Sequence, residues 1–84
     1  MFSVRFSPRA QRDFRGLTAQ VVQRVLPCIE ELSADPRPNG AKKLSGEKDI
    51  WRIRIGDYRV LYAIDDGVRI VEVRKVGHRK DIYD

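Results

Sequence analysis

The sequence predicts an α+β domain, built as one strand, two helices and then three strands in a meander. Three observations carry this. Phe2, Val4 and Phe6 alternate with Ser3 and Arg5, the period of a strand with one buried face. Between Pro8 and Leu32 the apolar residues fall three and four apart, the spacing of amphipathic helices. From Ile50 to Val76 alternation returns, cut by Gly56-Asp57 and Asp66-Gly67, both hairpin-turn signals. That order packs an α-hairpin on one face of a mostly antiparallel four-stranded sheet.

Each element has its own signals. Ser7-Pro8 starts the first helix, because Ser caps and Pro fits a position whose N–H has no helical partner. Ala10, Phe14 and Leu17 keep helical spacing, and Gly16 can end the helix in the left-handed conformation. Thr18 caps a second helix, with Leu17 and Val22 placed to staple across the cap. Val22, Val25, Ile29 and Leu32 make its apolar stripe, and Pro27 removes a backbone donor inside it, which predicts a kink. Asp35-Pro36-Arg37-Pro38-Asn39-Gly40 is a loop by composition. The strands that follow are Ile50 to Ile55, Tyr58 to Ile64 and Val68 to Val76. Gly56 first in its pair suits a type II′ turn, and Asp66-Gly67 a type I′ turn.

The chain has 84 residues, enough for one domain (1–84) with a thin core and no internal cofactor chamber. Seventeen Lys and Arg against twelve Asp and Glu leave a net charge of +5. The excess is concentrated: residues 1–26 carry five Arg and one acid, and residues 37–62 carry seven bases and three acids. Two basic blocks suit an anionic partner, nucleic acid being the commonest; a solvated surface that aids solubility has the same composition. Cys28 is the single cysteine, so an internal disulfide is excluded and a reducing compartment is expected. With His78 as the single histidine there is no metal-ligand cluster. Met1 to Phe14 is studded with Arg and has no long apolar run, so a signal peptide is not expected, and the longest apolar run, Val60 to Ile64, is far short of a membrane span.

The turns set an expected register, and the register sorts side chains by face. Across Gly56-Asp57, Arg54 faces Arg59 and Arg52 faces Leu61. Trp51, Ile53, Ile55, Tyr58, Val60 and Tyr62 then share the core face, while Arg52, Arg54 and Arg59 share the open one. Across Asp66-Gly67, Tyr62 meets Val71, Val60 meets Val73 and Arg74 stands opposite Arg59. Arg54, Arg59 and Arg74 would form a row. Like charges directly opposite cost up to about 1 kcal/mol per pair, so an anion over the row, such as RNA phosphate, is the functional reading; a solvated face whose guanidiniums splay apart, helped by Glu72, is the alternative. Lys42, Lys43 and Lys48 add positive charge in the segment before the meander. His78 and Arg79 follow the last strand, and Tyr83 can stack on a base or pack on the core.

The stretches Trp51-Arg-Ile-Arg-Ile-Gly-Asp-Tyr-Arg-Val-Leu-Tyr62 and Val76-Gly-His-Arg-Lys-Asp-Ile-Tyr83, with Asp35-Pro-Arg-Pro and Lys43-Leu44, resemble the RelE toxins of the RelE/ParE superfamily. The resemblance runs from Phe2 to Tyr83. It implies a microbial-ribonuclease-like fold and a cytoplasmic mRNA endonuclease that works in the A site of the small ribosomal subunit. No metal or other cofactor is implied. By position, Arg59 matches the family's phosphate-stabilising arginine, Arg79 the arginine at the transition state or leaving oxygen, and Tyr83 the tyrosine that orients the nucleotide. Arg52 and Arg54 match a basic pair that is lysine in the best-known member. Arginine effectively never releases its proton, so Arg52 cannot serve as a general base, and His78 is the substitute candidate for moving a proton. Lys42, Lys43, Lys48 and Arg74 are candidate RNA contacts. The implied partners are an acidic RelB-type antitoxin, the ribosome and mRNA, with operator DNA reached through the antitoxin complex. Two other functions stay open: a ParE-like inhibitor of DNA gyrase, and a catalytically silent antitoxin-binding module.

Overall fold

The structure, a computed structural model, describes residues 1–44 and 49–82. Its elements are β1 (Ser3–Phe6), α1 (Pro8–Arg15), α2 (Ala19–Glu30), a 3-10 turn (Glu31–Ser33), β2 (Lys42–Lys43), β3 (Ile50–Ile55), β4 (Tyr58–Asp65) and β5 (Ile70–His78). The α+β class holds. Among the described residues the sheet has five strands rather than four, in the order β1-β5-β4-β3-β2. The added strand is the two-residue β2, whose lysines have no apolar alternation to announce it. β1 pairs with β5 in parallel and every other pair is antiparallel.

The helix starts follow their caps. The Ser7 hydroxyl accepts from Ala10 N–H and donates to the Arg74 carbonyl, so one side chain caps α1 and ties it to β5. Thr18 caps α2 by accepting from Val21 N–H. Gly16 closes α1 in the right-handed region, at φ −85°, and not in the left-handed conformation expected of it. Its N–H reaches the carbonyls of Arg12 and Asp13, so the chain turns into α2 without a left-handed residue. α2 continues through Pro27 to Glu30 with the proline exposed, where the missing donor costs least. Val25, Ile29 and Leu32 are buried as the stripe predicts, but Val21, one position before the expected Val22, packs on the core beside Leu17.

The core lies between the α-hairpin and one sheet face: Ala10, Val25, Ile29 and Leu32 meet Ile53, Val60, Tyr62, Ile64, Val71, Val73 and Val76. Fully burying each large aliphatic group contributes about 1.5–3 kcal/mol. Phe6 and Phe14 meet edge to face, 5.2 Å apart, and join β1 to α1.

The β3–β4 register is the one expected, with Arg54 opposite Arg59 and Arg52 opposite Leu61. Gly56 has φ +59° and Asp57 has no positive φ, the type II′ pattern. The β4–β5 register differs. The connection is a four-residue loop, residues 66–69, with Asp65 paired to Ile70. The Asp65 carboxylate accepts from the N–H groups of Gly67 and Val68, and the positive φ falls on Arg69 instead of Gly67. The side chain of Asp65 thus builds the turn that the Asp66-Gly67 pair was expected to build alone. Tyr62 pairs with Val73, two residues beyond the expected Val71, which keeps every side chain on its face. A bulge then inserts Arg74, so Val60 pairs with Val76 and Arg59 with Gly77. Val73-Arg74-Lys75-Val76 has two polar residues between two valines, and one extra residue lets both valines point into the core. Past the bulge β1 has ended, and the Asp13 carboxylate of α1 accepts from Val76 N–H at 3.0 Å in its place.

Candidate active site

The face of the sheet turned away from the helices carries the basic residues. Two rows cross it. One runs Lys42, Arg52, Leu61, Lys75, and the next runs Arg54, Arg59, Gly77. Arg54 is exposed and Arg59 half-buried. Arg52 is 5% exposed and its neighbour Leu61 6%, so this part of the face is covered and not open as expected. Both Arg52 and Arg59 are engaged by other groups of the chain.

The expected row of Arg54, Arg59 and Arg74 does not form. The longer loop and the bulge place Gly77 opposite Arg59, and Arg74, at the bulge in the middle of β5, makes a 2.6 Å ion pair with Glu72. Lys75, not expected at the site from the sequence, takes a place in the row of Arg52 and Leu61. The doubled polar residues between Val73 and Val76 were the signal for it. Lys42 joins that row through β2, while Lys43 pairs with Trp51, on the helix side, and approaches Asp49. Lys48 and Tyr83 lie outside the described residues.

Beyond β5 the chain turns back. Arg79 N–H donates to the Asp57 carbonyl at 2.7 Å, and the Arg79 guanidinium approaches the Asp57 carboxylate at 3.7 Å. Asp57 belongs to the turn joining β3 to β4, just past the Arg54–Arg59 pair. Ile82 is buried over Gly77: a Cβ at Gly77 would stand 3.1 Å from Ile82 Cδ1. Having no side chain, Gly77 lets the tail lie against β5 next to Arg59.

His78 does not join the arginines of the sheet. It pairs with Tyr58, whose neighbours in alternation face the core, and its ring meets the Tyr58 ring edge to face at 5.4 Å. It lines a cavity of about 380 Å³ with Arg9, Arg12 and Asp13 of α1 and Asp81 of the tail. Its Nδ1 accepts from Lys80 N–H at 3.2 Å. His78 therefore lies on the helix side although it neighbours Arg79 in sequence, because successive residues of a strand point to opposite faces.

At the far end of β3 the loop before β2 is clamped. The Tyr62 hydroxyl donates to the Pro36 carbonyl, Arg37 pairs with Asp66 at 2.8 Å, and the same guanidinium lies 5.3 Å from the centre of the Trp51 ring. The hydrogen bond from Arg37 holds the Asp66 carboxyl below its usual range. These contacts fix the loop that delivers Lys42 to the sheet.

Comparisons with known proteins place the chain in a family and match its fold. The family model described as ParE toxin of type II toxin–antitoxin system, parDE, matches residues 4–83. Toxin RelG of Mycobacterium tuberculosis is 34% identical, covering 98% of this chain and 95% of its own. The putative toxin RelE1 of Methanocaldococcus jannaschii is 31% identical, covering 98% and 94%. The intact RelBE toxin–antitoxin complex of E. coli superposes with a TM-score of 0.82 at 28% identity, over 93% of this chain and 96% of that one. The chain belongs to the RelE toxin family, among the ParE-type toxins of type II toxin–antitoxin systems.

Proposed function

We propose that this chain is a toxin that cuts mRNA on the ribosome. The observation that carries the reading is the pairing of Arg54 with Arg59 beside the row of Lys42, Arg52 and Lys75, with Arg79 brought to the Asp57 turn at the end of the same strands. In the reaction the 2′-oxygen of a ribose bonds to the adjacent phosphorus and the bond to the 5′-oxygen breaks. The products are a 2′,3′-cyclic phosphate and a 5′-hydroxyl; the 2′-OH gives up one proton and the leaving oxygen gains one. Arg54 and Arg59 stabilise the charge that builds on the phosphate oxygens, and Arg79 that on the leaving oxygen. Arg52 reinforces their field from its buried position, and Tyr83 orients the nucleotide.

Guanidinium groups act by charge and do not take up the 2′-OH proton. A site of this kind gains most from a substrate already held in line, and alignment alone can supply roughly 7–11 kcal/mol of a barrier. mRNA fixed in the A site is such a substrate, which supports ribosome dependence over cleavage of free RNA. Lys42 and Lys75 guide the RNA backbone.

An acidic RelB-type antitoxin is the matching partner. The E. coli relative was solved with its antitoxin, and the basic face here attracts an acidic segment. The assembled pair, not the toxin alone, contacts operator DNA, and both work in the cytoplasm. The ParE description of the matching family model favours a second reading, inhibition of DNA gyrase by protein binding. Induced expression of wild type and Arg59→Ala in growing cells, with the mRNA mapped for breaks, tests the two. The nuclease reading expects arrest and breaks with the wild type and neither with the variant. Arrest by both, with intact mRNA, favours gyrase.

A further inference from the structure

The tail after β5 is held by three pins of different chemistry. Ile82 fills the space left by Gly77, Arg79 N–H extends the β4–β5 ladder to the Asp57 carbonyl, and His78 Nδ1 accepts from Lys80 N–H. The third has the form of an Asx turn, in which a side-chain acceptor takes the N–H two residues on. A backbone N–H can only donate, so Nδ1 is the acceptor of this bond. The Asp81 N–H closes the same turn on the His78 carbonyl at 2.8 Å. Between Lys80 and the end of β5 stands Arg79, exposed except for its approach to Asp57.

We propose that His78 is a positioning residue for Arg79: its Nδ1 locks the turn 78–81, which holds the Arg79 guanidinium at the Asp57 turn beside Arg54 and Arg59. The ring lies on the helix side, against Tyr58, and acts on the arginine face through the backbone. The inference deepens the nuclease reading and rests on it for its activity readout.

Two variants separate the acceptor from the ring. His78→Leu keeps apolar packing on Tyr58 and removes the acceptor. His78→Asn removes the ring and restores an acceptor suited to an Asx turn. The wild type and both variants are compared by ribosome-dependent cleavage and by amide hydrogen exchange at Lys80. The expected result is kcat about tenfold or more lower for His78→Leu, since small misplacements of a charge-stabilising group cost that much. KM stays within about twofold, because the sheet arginines still hold the RNA. His78→Asn returns kcat to within about threefold of wild type, and Lys80 exchanges faster in His78→Leu alone. Wild-type kcat in His78→Leu overturns the proposal. So does His78→Asn with a protected Lys80 amide and the activity of His78→Leu, which would give the ring itself a chemical part. If wild type cuts no RNA, the nuclease reading falls, and exchange alone decides the latch: Lys80 protection lost in His78→Leu and kept in His78→Asn upholds it, while equal protection in all three overturns it.

Discussion

Tyr62→Phe removes one oxygen from the centre of the molecule, and its cost follows from the structure. Tyr62 is 0% exposed and its hydroxyl donates to the Pro36 carbonyl at 2.7 Å. Phenylalanine fills nearly the same space, so the loss is the hydrogen bond plus a buried carbonyl without its donor, about 1–3 kcal/mol. At about 1.5 kcal/mol, and about 4–8 °C per kcal/mol for a domain this size, Tm falls by about 6–12 °C. A second signature lies in alkali. Burial pushes the Tyr62 hydroxyl from 10.0 up to about 12, against the opposing pull of Arg37. A group whose folded value is raised stabilises fully below its unfolded value, so this contribution is intact below pH 10 and lost as pH climbs through about 12. The displacement amounts to about 2–3 kcal/mol. Thermal melts at neutral pH, with denaturant midpoints at about pH 9, 10.5 and 12, measure both effects in wild type and Tyr62→Phe; the difference between the two chains cancels the other titrating groups. An unchanged Tm, or the same alkaline decline in both chains, would show that the Tyr62–Pro36 bond contributes no stability. Because the Pro36 loop delivers β2, the variant should also weaken the contribution of Lys42 to RNA binding.

Other perturbations test other joints of the structure. Gly77→Val sets a branched side chain where a single Cβ would already lie 3.1 Å from Ile82, and should cost about 1–3 kcal/mol in denaturant melts while raising amide exchange at Ile82. Asp13→Ala leaves the Val76 N–H without the carboxylate that caps it, and a loss of about 1–2 kcal/mol is expected in the same assay. Arg59→Lys keeps the charge but loses the planar fork, so cleavage should fall at least about tenfold while ribosome binding, measured by sedimentation, changes much less. Ribosome binding should weaken with salt by about 0.7 per phosphate contact on a log–log plot, and Lys42→Ala should reduce that slope.

The parts of the fold legible in the sequence are those fixed by neighbours along the chain. Ser7-Pro8 and Thr18 marked the helix starts because a cap needs only its own next three residues. Gly56-Asp57 fixed the β3–β4 register, and with it the Arg54–Arg59 pair, because a two-residue turn allows one pairing. The β4–β5 register was not legible from Asp66-Gly67, since the Asp65 side chain captured two loop N–H groups and lengthened the connection. The bulge at Arg74 was readable in principle from Val73-Arg74-Lys75-Val76, where strict alternation sends one valine to the wrong face. The burial of Arg52 depends on tertiary packing and leaves no local mark. The placement of His78 was accessible from strand parity once β5 was known to run to residue 78 and not to stop at Val76. At the site, sequence gave the basic residues of β3 and β4, and the structure changed the third member of the row from Arg74 to Gly77.

Whether the chain cuts mRNA on the ribosome is decided by primer extension on an mRNA under translation by purified ribosomes, with the purified chain and with a matched reaction lacking ribosomes. Breaks within codons that depend on ribosomes and vanish with Arg59→Ala are the expected result. Breaks of equal strength on free mRNA, or intact mRNA under both conditions from a chain that still arrests growth, would contradict it.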